Sequence, residues 1–197
     1  GSEMCIRDRK FADGGEVIVW ETGRAGEEAA SYENLFLRKE IAGFRTNIRR
    51  EQSCSIKSLT RDYLYKQLLS SGEYTFDHML VIKDPYGEAP LTALALFILE
   101  EPACVRVTTK GNLKETDFVT ELPKKKEHRV PILGMYAEKA NDIVIEILDD
   151  EGNCVKSHTF TIRTKRLPKS LRNVITVKKW TDKPAYSNIM INGGVKI

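Results

Sequence analysis

A stiff turn followed by an almost wholly apolar run limits the possible folds of this chain more than any other feature. In the turn Asp84-Pro-Tyr-Gly87, proline presets φ near about −65° at the second position and glycine relaxes the exit. The run Leu91–Leu99 that follows contains one polar residue, Thr92. Apolar runs of this length, bounded by turn residues, are typical of strands packed on both faces. The sequence therefore predicts a sheet in which this strand is covered on both sides.

The rest of the chain after residue 72 alternates with a period of two and is punctuated by turn residues. Breaks are predicted at Glu100-Glu-Pro102 and Pro123-Lys-Lys-Lys126, and Gly152 with Asn153 supplies the positive-φ tolerance of a short hairpin loop. The pattern predicts seven short strands, at residues 74–83, 91–99, 103–109, 116–122, 128–133, 142–149 and 154–164. Because no long helix intervenes, we expect a mainly β domain over residues 73–166, an antiparallel immunoglobulin- or fibronectin-III-like β-sandwich.

The sandwich is preceded by a mixed, partly helical segment over residues 10–72. Residues 16–20 are a candidate short strand, and the clearest helix is predicted over Ser55–Ser70, with Ser55 as the cap and Gly72 as a left-handed residue after the end. Its apolar stripe is expected to comprise Ile56, Leu59, Tyr63, Leu64 and Leu68. The stripe suits either packing on the chain's own β domain, which we favour, or docking to a partner or a second copy.

The two ends of the sequence are expected to lie outside the native domain. Gly1-Ser2 is typical of a cloning scar and residues 3–9 of translated adaptor sequence, so that Cys5 would not be native. Residues 167–197 are expected to be a linker and the start of a downstream domain. No apolar run approaches the roughly 20 residues that a membrane-spanning helix needs. The lack of a signal peptide in the sequence is weak evidence for a cytoplasmic location.

Charge and cysteine content exclude some functions. The net charge of +3 arises from 31 basic and 28 acidic residues, which does not indicate a nucleic-acid-binding surface. The four cysteines, at positions 5, 54, 104 and 154, lack CxxC spacing. Strand alternation places Cys104 beside Arg106 and places Cys154 on the core face with Phe160. A Cys104–Cys154 bond is therefore disfavoured, and free thiols are expected.

The histidines and carboxylates do not form a catalytic pattern. His78, His128 and His158 lie on three different predicted strands without metal-ligand spacing, and we expect surface or hydrogen-bonded imidazoles, with His158 partly exposed near the hairpin. The acidic pairs at Glu100-Glu101 and Asp149-Asp150-Glu151 are expected in solvated turns.

The strongest basic cluster is formed by Lys124-Lys-Lys126 with His128 and Arg129. It could attract an anionic ligand or an acidic partner surface, but a soluble loop tip that protects strand edges from aggregation is the favoured interpretation. The glycine pairs Gly14-Gly15 and Gly193-Gly194 lack the spacing of a phosphate-binding loop.

Four elements in order resemble one protein family. Asp84–Leu94, Val130–Tyr136, Ala140–Ile145 and Thr159–Thr164 are similar to the N-terminal β domain of bacterial aryl-sulfate sulfotransferases. Met135 stands where the family pattern has leucine. The resemblance covers about residues 76–165 and leaves the first 70 residues outside it.

The resemblance implies a parent enzyme that moves sulfate from phenolic sulfate esters to phenolic acceptors without a nucleotide donor. In the family, a histidine of a following β-propeller takes the sulfuryl group, and the N-terminal domain is noncatalytic. No catalytic, cofactor-binding or metal-binding residue is therefore carried over, and no cofactor is expected. The resemblance implies two partners, the chain's own downstream propeller and a second copy of the chain in a homodimer, in a periplasmic or extracellular setting. The alternative is a free-standing immunoglobulin-like binding or adhesion module.

Overall fold

The computed structural model describes residues 9–11, 15–33 and 50–167, and it is mainly β, as predicted. The described residues up to Arg166 belong to one compact unit, and the predicted boundary near residue 72 stays a prediction. In the described residues the α-helices are α1 (Thr22–Ala30) and α2 (Arg50–Ser70). The strands are β1 (Arg9–Lys10), β2 (Glu16–Trp20), β3 (His78–Lys83), β4 (Ala93–Thr109), β5 (Phe118–Ile132), β6 (Ala140–Leu148) and β7 (Cys154–Arg163).

The long β4–β5 hairpin folds over and contributes to both layers of the sandwich. The strands are ordered β1-β2-β3-β4-β6-β7, with β5 paired to β4. The first part of β4 pairs with β3, and Cys104–Thr109 pairs with β6. The opposite ends of β5 meet, since a Cβ on Gly134 would lie 2.8 Å from Phe118 Cβ. The two layers enclose one apolar core that includes Met79, Val81, Ala95, Phe97, Val105, Val107, Val130, Ile132, Ile143, Ile145, Phe160 and Ile162.

The predicted breaks at Pro102 and Pro123 are wrong, because both prolines lie inside continuous strands. The β4–β5 ladder shifts register between Ile98 and Ala103 and again before Val105. Proline has no N–H to donate, so it is tolerated where a ladder is already interrupted. The irregularities bend the hairpin without ending either strand. Two long bent strands therefore replace four of the predicted short ones.

Helices α1 and α2 cover the outer face of the layer that contains β3. Alternate residues of β4 point in opposite directions: Leu94 and Leu96 face the helices, while Ala95 and Phe97 face the sandwich core. The helical side contributes Ala25, Ala29, Leu64, Tyr65 and Leu69, together with Trp20 and Tyr74. The expectation of a strand buried on both faces is confirmed, and α2 packs on its own chain.

Strand β2 departs from the antiparallel pattern of the sandwich. It pairs parallel with β3, from Glu16 opposite His78 to Trp20 opposite Ile82. Parallel neighbours need a long crossover connection, and α1 and α2 lie in that connection.

The predicted apolar stripe of α2 is only partly correct. The helix begins at Arg50, so Ser55 lies within it and is not its cap. Leu59, expected in the stripe, is 43% exposed, whereas Thr60 is buried. The buried row is Ile56, Thr60, Leu64, Tyr65 and Leu69, and Tyr63 and Leu68 are partly buried. Gly72 has the predicted left-handed backbone, with φ +74°.

A register shift in the β6–β7 hairpin reverses the expected position of Cys154. Gly152 has φ +85°, as the short loop predicted. Ile147 pairs with Lys156 but Leu148 pairs with Cys154, which leaves Val155 as an extra residue. Because one extra residue exchanges the two faces of a strand, Cys154 is exposed and not part of the core. Cys104 and Cys154 are free thiols, as expected, whereas the side chains of Cys5 and Cys54 lie outside the described residues.

Candidate binding groove

The two layers of the sandwich separate at the bend of the β4–β5 hairpin and leave a groove of about 970 Å³. On the edge of β4 opposite to β5, Ile98 forms an isolated bridge with Thr75. The next residue on that edge with a pairing partner is Cys104, which lies opposite Leu148 of β6. The groove lies between these points. Its apolar lining includes Phe76, Ile98, Leu99, Pro102, Ile147 and Val155.

The bend leaves a stretch of β4 outside the regular ladders. Residues Leu99–Pro102 have no register partner in β5, β3 or β6. Glu100, Glu101 and Pro102 are exposed, whereas Leu99 is 6% exposed. Backbone N–H and C=O groups seek hydrogen-bond partners, so this stretch offers a short edge to an extended ligand.

Six carboxylates and three lysines line the groove, and part of this charge is internally paired. Lys156 contacts Asp77 at 2.6 Å, and Lys124 forms an ion pair with Asp150. The Asp149 carboxylate accepts hydrogen bonds from the backbone N–H groups of Glu151 and Asn153. Glu100, Glu101, Glu151 and Lys126 also line the groove, without an ion pair to another described residue. The charge that remains is negative.

Asp77 joins the groove to a buried histidine. His158 Nε2 lies 2.8 Å from Asp77 Oδ1, and its ring is stacked between Phe11 and Phe76 at centroid distances of 3.8 and 4.6 Å. The hydrogen bond from Lys156, helped by His158, lowers the pKa of Asp77 below its ordinary value. The side chain of His158 is 1% exposed, so the expected partial exposure is wrong. Stacking under two phenyl rings excludes water from the imidazole.

The other two histidines lie in different surroundings. His128 is 1% exposed, stacks on Phe97 and holds its Nε2 2.8 Å from the carbonyl oxygen of Lys125. His78 is exposed, with Nδ1 3.5 Å from Glu16 Oε1. Among the residues that the structure describes, no group of three or more His, Cys, Asp or Glu is arranged to hold a metal ion.

Replacing His128 with phenylalanine is expected to flatten the pH dependence of stability. Burial lowers the pKa of His128 below its ordinary 6.5, against the weaker opposing effect of its backbone hydrogen bonds. The unfolded chain therefore binds more protons than the folded chain between these pKa values, so stability falls as the pH drops through that window. Urea unfolding at about pH 7.5 and about pH 5.5 measures the effect. The free energy of unfolding should fall less between the two pH values for His128→Phe than for the parent.

Phe97→Leu is the matched control for that experiment, because it removes the ring beneath His128 without removing the titrating group. It should lower stability at both pH values and keep the parent's pH dependence. An unchanged pH dependence in His128→Phe would contradict the expected result.

The basic cluster is dispersed, contrary to the loop-tip interpretation. Lys124–Lys126 lie within β5, and Lys124 forms its ion pair across the groove with Asp150. His128 is buried, while Arg129 contacts Asp62 of α2 at 2.5 Å. The residues alternate across the two faces of a strand, so they cannot present one basic surface.

The Asp84–Gly87 turn attaches the sheet to α2. The Pro85 carbonyl oxygen accepts hydrogen bonds from the Tyr65 hydroxyl and, at 2.5 Å, from Arg61. The Tyr86 hydroxyl donates to Asp62 at 2.6 Å, and burial, assisted by this carboxylate, raises the pKa of Tyr86 to about 12. The motif therefore has a structural role. Sequence reasoning missed Arg61 and Tyr65, because their partners are distant in the chain.

The corner before β6 is held by Asn141, which sequence reasoning also missed. Asn141 Oδ1 accepts the backbone N–H of Tyr136 at 2.7 Å, and Nδ2 lies 3.1 Å from the carbonyl oxygens of Tyr136 and Lys139. The Asn141 amide therefore binds both the backbone N–H and the backbone C=O of Tyr136, because an amide side chain can accept and donate at once.

Comparison with known protein families assigns the class of the sandwich. The match spans residues 80–165, from β3 to just after β7, so that α1 and α2 lie outside it. The matching family is the arylsulfotransferase Ig-like domain, and the resemblance read from the sequence is thereby confirmed for this segment. No curated protein and no solved structure matches the chain. Within the described residues, no helix is long and apolar enough to cross a membrane.

Proposed function

We propose that this chain is the noncatalytic accessory domain of an aryl-sulfate sulfotransferase whose parent transfers sulfate between phenols. The observation that carries the proposal is the family match, which spans most of the β-sandwich. The proposal includes a downstream β-propeller as the principal partner, a possible homodimer and a periplasmic or extracellular location. In this role the sandwich supports the propeller or its dimer.

The surroundings of the histidines support a noncatalytic role. Sulfuryl transfer through an imidazole needs a nitrogen that can reach the donor and nearby groups that bind the sulfate oxygens. The Nε2 atoms of His128 and His158 are held at 2.8 Å by the Lys125 carbonyl and by Asp77, and both rings are buried. Exposed His78 is instead beside the carboxylate of Glu16, which would repel a sulfate ester.

The purified chain is expected to give no sulfate transfer from a model aryl sulfate to a phenol above the background without protein. Release of the donor phenol and formation of the new sulfate ester are the two measurements. Transfer that disappears in a folded His78→Ala, His128→Ala or His158→Ala variant would contradict the proposal, and circular dichroism verifies that the variant is folded.

The second candidate is a free-standing immunoglobulin-like binding or adhesion module, and the groove at the hairpin bend favours it. The adjacent coding sequence separates the two candidates. A downstream propeller with a histidine-bearing sulfate site supports the accessory domain, whereas an immediate stop codon supports the free-standing module.

A further inference from the structure

We infer that the groove at the hairpin bend binds an extended, cationic peptide segment of a partner protein. The groove is lined by the Leu99–Pro102 stretch of β4, the segment just before β3 that holds Phe76 and Asp77, and the β6–β7 hairpin. This inference does not depend on the sulfotransferase role, because a binding module and an accessory domain could both use such a site.

The backbone geometry favours an extended ligand. Leu99–Pro102 has no register partner in any strand that the structure describes, although the residues of β4 before and after this stretch are paired. Four extended residues span about 13 Å, which is the length of a short added strand. Peptides that add a strand to a sheet gain affinity from main-chain hydrogen bonds and specificity from alternate side chains.

The charge of the groove favours a cationic ligand. Asp77 forms an ion pair with Lys156, and Asp150 forms one with Lys124. The Asp149 carboxylate accepts a hydrogen bond from the backbone N–H of Asn153 in its own turn. The other charged residues of the groove are three carboxylates, those of Glu100, Glu101 and Glu151, and one ammonium group, that of Lys126. The negative charge is therefore in excess, and it would attract a lysine or arginine of the ligand. Opposite charges at the rim of a site steer association and suppress partners of the wrong sign.

The apolar lining favours a peptide over a simple polyamine. Val155, the extra residue of the β6–β7 bulge, is 67% exposed and lines the groove with Pro102 and Ile147. Side chains alternate along an extended peptide, so a segment with alternating basic and branched apolar residues can place one set on this surface and the other at the acidic rim. The volume of about 970 Å³ is at the upper end of the range for ligand sites.

The test is calorimetric titration of the full chain with a blocked hexapeptide of alternating lysine and valine. We expect binding that weakens at least about tenfold in Glu100→Lys/Glu101→Lys. The control Glu88→Lys/Glu115→Lys makes the same charge change at exposed acids outside the groove and should stay within about twofold of the parent. A glutamate-valine hexapeptide should not bind. Equal affinity for both variants, or no binding to the parent chain, would overturn the inference.

Two further measurements separate strand addition from other occupants. N-methylation of alternate peptide residues removes hydrogen-bond donors and should weaken binding at least about tenfold, whereas unchanged affinity would overturn strand addition. Peptide-induced amide shifts in NMR spectra should centre on Leu99, Glu100 and Glu101, and shifts centred elsewhere would overturn the site. If a small aromatic cation binds with the same dependence on Glu100 and Glu101 while the peptide does not, the groove is a small-molecule site and the inference fails.

Discussion

Replacing Asn141 with alanine is expected to lower the free energy of unfolding by about 3–5 kcal/mol. The side chain is 1% exposed and joins three separate parts of the corner. Its Oδ1 accepts a hydrogen bond from the Tyr136 N–H. Its Nδ2 lies within hydrogen-bond distance of the carbonyl oxygens of Tyr136, Lys139 and Ile162. Alanine would leave these buried backbone groups without the hydrogen-bond partner that the amide provides. Each buried polar group left unpaired costs about 1–3 kcal/mol. Urea unfolding followed by circular dichroism measures the change.

Asn153→Ala is the matched control, because it removes the same side chain from an exposed hairpin. Asn153 Nδ2 contacts Asp149 Oδ2 at 3.1 Å, in solvent. Its loss should cost at most about 1 kcal/mol. Similar losses in the two variants would show that Asn141 does not hold the corner. Asn141→Asp should also destabilise the chain, since a carboxylate keeps the acceptor and loses both donors.

Replacing Leu64 with alanine is expected to cost about 2–4 kcal/mol. Leu64 is 4% exposed and packs in the cluster between α2 and the outer face of β3 and β4, with Leu80, Ile82 and Leu96. Its removal would leave a cavity between two elements that cannot fully close over it, because both are regular and tightly packed. Thermal and urea unfolding should both report the loss.

Leu59→Ala on the same helix is the control for that experiment. It makes the same chemical change at a leucine that is 43% exposed, and it should cost less than about 1 kcal/mol. The comparison decides between the stripe expected from the sequence and the row that the structure buries. A larger loss at position 59 than at position 64 would contradict the packing of α2.

Local signals in the sequence were sufficient where one segment decides its own conformation. The proline and glycine of the Asp84–Gly87 turn, with its 3.0 Å bond from Gly87 N–H to the Asp84 carbonyl oxygen, act within four residues. The same holds for Gly72 and Gly152, both at positive φ, where glycine avoids the steric cost of a side chain. The candidate groove had no comparable signal, because its lining comes from the segment before β3, from β4 and β5, and from the β6–β7 hairpin.

The sequence by itself determined that the apolar run ending at Leu99 would form a strand buried on both faces and that a mainly antiparallel sandwich would follow. Strand periodicity and turn chemistry are local properties, and a local pattern is enough to predict them. Tertiary structure decided that Pro102 and Pro123 bend strands without ending them, since the gap in the ladder arises from pairing between distant residues. It also decided the exposure of Cys154, the buried row of α2 and the opening of the groove. Each of these depends on register or on contact between segments far apart in the chain, and such contacts have no counterpart in a local pattern.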